Sequence, residues 1–212
     1  MSEYHNTKAE DRVPLGQKLA VGAGGFPIQN GGLIVQYMAQ PIFQIFLGLN
    51  PALFGLAMTI PRIWDAFTDP VMGRISDRTQ SRYGRRRPYV FVGALAVALT
   101  FLTIWMVPQS MGDTGTFLWL TIGSVLFFTA FTVFSVPFNA LVYEQTPDYH
   151  ERTRLMFYLA LFYNIGNLCV NWYVPATSWS GFENPLVGAR WIALGVALVV
   201  FMGMGILPAI FG

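Results

Sequence analysis

Six apolar runs of about 20 residues or more, parted by short polar breaks, constrain this chain more than anything else in its sequence. They cover residues 19–48, 51–76, 88–108, 116–143, 155–175 and 187–209. A helix of about 20 residues crosses the roughly 30 Å hydrocarbon layer of a bilayer. No water is present there to satisfy backbone N–H and C=O groups, so such runs fold as helices. Only 11% of the residues are charged and the mean hydropathy is +0.47, whereas a soluble domain carries about 25% charged residues. The expected fold class is therefore an all-α membrane protein with six transmembrane helices. Residues 1–18 are expected to form a cytoplasmic segment and residues 19–212 the transmembrane domain. The first apolar run exceeds the short core of a signal peptide, so the segment before it is expected to stay attached. The single cysteine, Cys169, lies in an apolar run, which leaves no intrachain disulfide and reads as a packing thiol.

The basic residues orient the spans. Lys8, Arg12 and Lys18 precede the first run, Arg74, Arg78, Arg82, Arg85, Arg86 and Arg87 surround the second break, and Arg152 and Arg154 occupy the fourth. Only Arg190 falls on the opposite side, and Arg62 lies within the second run. Both termini are then cytoplasmic, in a multi-pass protein of the cytoplasmic (inner) membrane. These loops account for the sequence pI of 8.8, and a net charge of +2 gives no reason to invoke nucleic acid. Pro27, Pro41, Pro61, Pro137 and Pro175 fall in or near the runs, which suggests kinked helices around a cavity.

Residues 62 to 70 read RIWDAFTDP. Asp65 and Asp69 stand i, i+4 and share one helix face, with Arg62 and Gly73 on nearly the same stripe. An ionisable group in the hydrocarbon layer costs a few kcal/mol or more and usually serves an ion or proton path. Two carboxylates one turn apart can hold a hard cation through oxygens or share a proton. The plainer alternative is a structural Arg62–Asp65 ion pair, which leaves the second carboxylate unexplained.

The next break, GRISDRTQSRYGRRRP, reads as a topology signal with a turn at Tyr83-Gly84. There Gly73 permits close helix approach, and Asp77 and the arginines can form a latch. The segment SVPFNALVYEQTPDYHERTR, with Glu144 and Glu151, reads as a solvated loop with local salt bridges. Trp105, Trp119, Trp172, Trp179 and Trp191 suit an interfacial belt. Trp64, Tyr37, Tyr158 and Tyr163 lie deeper, where an aromatic ring either stacks on a sugar or packs. Amides at Gln29, Asn30, Gln36, Gln40 and Gln44, and at Asn164, Asn167 and Asn171, make stripes suited to a cavity or to interhelical bonding. No phosphate-binding glycine loop or metal-spaced Cys/His cluster occurs, and His5 and His150 lie outside the runs, so catalysis is not expected and no metal beyond a transported cation.

RIWDAFTDPVMGRISDRTQSRYGRRRP, with KLAVGAGG, SVPFNAL and TPDYHERTRL, resembles the amino-terminal half of a major facilitator superfamily transporter. Within that superfamily the likeness is to the glycoside-pentoside-hexuronide:cation symporters, of melibiose permease type. The resemblance implies a half built as a 3+3 inverted repeat, with a second six-helix half completing the transporter. It implies a coupling-cation site, for sodium or a proton, at Asp65 and Asp69, flanked by Thr68 and Thr132. On the sugar side Gln29 and Ser135 stand where acidic residues are known, Asn139 stands for a tryptophan, and no arginine occurs at Leu159 or Ala160. Gln29, Ser135, Asn139 and Tyr158 are then the substrate candidates. Arg62, Gly73, Asp77, Arg78, Arg85 and Arg86 are the gating candidates.

The expected function is half of a cation-coupled symporter for a sugar or similar polyhydroxylated solute, without a cofactor other than the coupling ion. Its partners would be membrane lipid, the solute, and a second half supplied as a homodimer or a separate chain. The alternative is a non-transporting accessory subunit of a larger membrane complex. A lipid-like amphiphile is a further substrate reading.

Overall fold

The computed structural model describes residues 11–211, so His5 and Lys8 of the sequence reading lie outside the described residues. The described backbone is helical, with no strand. Helix α1 spans Leu15–Ala39 and runs directly into a π-helical stretch, Gln40–Phe46. Then follow α2 (Pro51–Arg78), α3 (Arg87–Trp105), α4 (Asp113–Glu144) and α5 (Tyr149–Thr177). The last rod is α6 (Pro185–Val196), a second π stretch (Ala197–Met204) and α7 (Gly205–Phe211).

Local chemistry sets these ends. The Asn50 side chain accepts from the Ala52 amide at 2.9 Å, and Asp148 and Asn184 cap α5 and α6 by accepting from Glu151 and Val187. Gly84, at φ +97°, makes the expected turn between α2 and α3, with its amide donating to Ser81 O. Pro41, which has no N–H to donate, sits at the start of the first π stretch.

Three rods are long and apolar enough to cross a membrane by composition: Arg87–Trp105, Asp113–Glu144 and Pro185–Phe211. The other three, α1, α2 and α5, carry the amides and ionisable residues singled out above, which lower their hydropathy. The apolar rods build the core. Phe101 on α3 meets Trp105, Phe127 of α4 and Phe201 at ring-centroid distances of 5.4–5.8 Å. Trp105 is fully buried there, which corrects its assignment to an interfacial belt. Its helix end is covered by Arg190, which donates to the carbonyls of Trp105 and Val107. Trp172, Trp179 and Trp191 are exposed, as a belt requires.

The closest backbone approach between α3 and α4 depends on Gly93. A Cβ there would lie 2.7 Å from the Phe134 N and Cα atoms. Gly73, assigned that role in the sequence reading, does not have it within this chain, because a Cβ would meet only Val136 at 3.9 Å. Helix α2 packs on α4 and α5 packs on α1, so α2 and α5 form two flanks of the molecule.

Candidate functional site

The candidate cation residues lie where α2 meets α4. Thr132, 3% exposed, donates its hydroxyl to Asp69 Oδ1 at 2.8 Å. One turn earlier, Asp65 Oδ1 is buried and has no hydrogen-bond partner among the described residues. Its Oδ2 lies 3.9 Å from Arg62, a distance at the limit of an ion pair. Arg62 is committed elsewhere too: it donates to the Gly32 carbonyl of α1 and lies 4.5 Å above the Phe128 ring of α4. The plain Arg62–Asp65 pair therefore accounts for one carboxylate oxygen and leaves the other unsatisfied. A buried acceptor without a donor is costly.

Thr68 lies on α2 between the two carboxylates. Its hydroxyl donates to the backbone carbonyls of Trp64 and Asp65, at 3.3 and 3.4 Å, so it buttresses the helix between the carboxylates. Trp64 donates its indole N–H to Thr129, a second α2–α4 tie beside the pair. Two clefts flank this part of α2. One, of about 280 Å³, includes Gln36, Thr59, Arg62 and Phe128; the other, of about 390 Å³, includes Trp64, Thr68, Thr129 and Thr132.

The substrate candidates are less gathered. Thr132, Ser135 and Asn139 share a side of α4 by their spacing, with Ser135 half-buried and Asn139 exposed. Gln29 on α1 donates to Asn167 of α5 at 3.4 Å. Beside it the buried Asn30 accepts from the Tyr173 hydroxyl at 2.8 Å. Tyr158 lies next to Gly22, nine residues before Asn167 and so about 13 Å along α5 from it. It is not brought to the Gln29–Asn167 pair.

Three of the gating candidates, Asp77, Arg85 and Arg86, form an intrachain clasp with Glu144. Arg86 holds Glu144 through two hydrogen bonds, at 2.9 and 3.0 Å, and reaches Asp77 at 2.9 Å; Arg85 also pairs with Glu144. Arg78 is exposed at the end of α2. The sequence reading had Asp77 and the arginines latch onto a second half; within this chain Arg85 and Arg86 pair with Glu144 at the end of α4.

A second cluster was missed. Glu151, treated as part of a solvated loop, is 1% exposed. It accepts from the Val13 amide at 3.1 Å and pairs with Lys18 at 2.5 Å and Arg154 at 3.2 Å. Burial alone raises its carboxyl, but Lys18, the Val13 amide and Arg154 outweigh it and hold the group below the ordinary glutamate range. The signal was available, since Asp148-x-x-Glu151 is a capping-box spacing that places Glu151 in the first turn of α5.

Comparison with known proteins agrees with a membrane transport fold. The family model described as "MFS/sugar transport protein" matches residues 20–211. An uncharacterized symporter of Synechocystis is 36% identical over 65% of this chain, and one of Bacillus subtilis is 34% identical over 77%. A sodium-dependent lysophosphatidylcholine symporter of Danio rerio is 32% identical over 64% of the chain. These matches cover 26%, 35% and 25% of the relatives' own lengths, so the chain spans between a quarter and about a third of each.

Proposed function

The chain belongs to the MFS/sugar transport protein family, and on that premise we propose that it is the cation-coupling half of a secondary symporter. The observation that carries this reading is the carboxylate pair of α2, where Thr132 is turned onto Asp69 and a buried Asp65 oxygen lacks a partner. In this account a sodium ion or a proton binds at Asp65 and Asp69, with the Thr132 hydroxyl as a further oxygen and Thr68 supporting the helix between them. Arg62 moves toward the carboxylates when the cation leaves, which keeps the empty site from holding unpaired negative charge in the membrane. Cation binding then favours the conformation that takes up solute.

The proposed architecture is six transmembrane helices in a 3+3 inverted repeat, with residues 1–18 and both termini on the cytoplasmic side of the inner membrane. A second six-helix half, as another copy or a separate chain, closes the cavity. Gln29, Ser135 and Asn139 offer amides and a hydroxyl to a polyhydroxylated solute such as a sugar. The named lysophosphatidylcholine relative supports a second substrate reading, an amphiphile, and so do the exposed apolar residues Ile63, Phe67 and Val71 of α2.

The test is cation-dependent uptake of labelled solute in cells expressing the chain with its second half. Asp65→Asn and Asp69→Asn are each expected to abolish it. Uptake that keeps its cation dependence in both variants contradicts the proposal.

A further inference from the structure

The arginine-rich turn between α2 and α3 divides its cations between two surfaces. Arg85 and Arg86 are drawn to Glu144, and Arg86 also to Asp77. Arg82 and Arg87 border a second surface. Arg87 lines a groove of about 440 Å³ with Tyr83, Pro88, Phe91, Val92 and Ala209. The Arg82 guanidinium lies 4.7 Å above the ring of Tyr83, the residue that forms one wall of the same groove. The walls come from the turn, the first turns of α3 and the end of α7, and are otherwise aromatic and aliphatic.

The groove does not end at its mouth. Val92 and, two turns further along α3, Leu99 are 58% and 65% exposed, so an apolar track continues down a helix composed to cross the membrane. A cationic mouth at the membrane surface above an apolar track matches the two parts of a lipid. We propose that this groove binds an anionic phospholipid of the leaflet on the arginine-turn side, with its phosphate at Arg82 and Arg87 and one acyl chain along Phe91 and Val92.

Guanidinium groups hold phosphate oxygens through charge-assisted, often bidentate, hydrogen bonds. Basic clusters at the ends of membrane helices attract anionic headgroups for the same reason. A turn that served orientation alone needs positive charge and no more. The Tyr83 ring beneath Arg82 and the groove beginning at Arg87 add shape to that charge. Free phosphate would use the mouth and gain nothing from the track, whereas a zwitterionic lipid would fill the track and bring a positive group to the arginines.

Native mass spectrometry of the purified chain from detergent tests this, with phosphatidylglycerol, phosphatidylcholine or glycerol phosphate added at equal concentration. The chain should retain phosphatidylglycerol several-fold over the other two. The double variant Arg82→Gln/Arg87→Gln, at exposed positions, should lose that preference. Val92→Trp fills the groove without altering charge and should lower phosphatidylglycerol retention. Helix content and unfolding midpoint identify a variant that has misfolded, and the charge variant then decides alone. Equal retention of the two lipids, glycerol phosphate bound as well as intact lipid, or a well-folded variant with undiminished preference would each overturn the proposal. None of these readouts depends on transport or on the cation site.

Discussion

The Thr132 hydroxyl of α4 donates a 2.8 Å hydrogen bond to Asp69 Oδ1 of α2, at a position where the threonine is 3% exposed. A charged acceptor makes such a bond worth about 1.5–3 kcal/mol, and the hydroxyl oxygen remains able to face a cation. Thr132→Val keeps the shape and removes the hydroxyl. It should weaken cation affinity by about tenfold or more, on the scale of 1.4 kcal/mol per decade, while Thr132→Ser retains most of it. Cation titration of the fluorescence of Trp64, which neighbours Asp65, in a background with the other five tryptophans replaced by phenylalanine reads both.

Glu151 ties the chain before α1 to the start of α5 through Val13 and Lys18. Its folded carboxyl is held below the ordinary value, so its contribution is complete above the unfolded glutamate value of about 4.3 and is lost as pH falls through the lower folded value. Glu151→Gln should therefore unfold at a lower temperature than the wild type at pH 7, with the gap narrowing below about pH 4. Thermal midpoints in detergent across that range check it.

Gly93 and Gly73 should respond unequally to a methyl group. A Cβ at Gly93 would press on the Phe134 backbone, whereas one at Gly73 makes only ordinary contact with Val136. Gly93→Ala should cost about 1–3 kcal/mol through overpacking, and Gly73→Ala should leave the unfolding midpoint nearly unchanged. A Gly73→Ala variant that lost transport without losing stability would place the need for that glycine in contact with a second half.

Glu144 anchors both Arg85 and Arg86. Glu144→Gln should free the turn between α2 and α3 and speed tryptic cleavage after Arg82 and Arg85 several-fold, with helix content unchanged. Limited proteolysis followed by mass analysis measures this directly.

Hydropathy made the helical fold legible because the membrane leaves few alternatives: the runs at 88–108, 116–143 and 187–209 correspond to α3, α4 and the α6–α7 rod. The i, i+4 spacing of Asp65 and Asp69 likewise marked a shared face. The partners of those residues were harder to read. Glu151 looks like a loop charge until Lys18 and Val13, more than 130 residues earlier, are folded over it. Trp105 looks like a belt residue because sequence shows its nearness to a helix end and conceals the Phe43 and Phe101 rings that cover it. The family resemblance makes Thr68 a ligand, and the sequence could not show that its hydroxyl donates to its own helix backbone while keeping lone pairs for a cation.

The central claim is that Asp65 and Asp69 bind the coupling cation. Equilibrium binding of radiolabelled sodium to the purified chain, with proton release recorded in the same titration, tests it most directly. The account predicts saturable binding of sodium, or reversible binding of a proton at this pair, in the wild type and its loss in Asp65→Asn and in Asp69→Asn. Binding undiminished in both variants, or a folded wild type that binds neither ion, would contradict it.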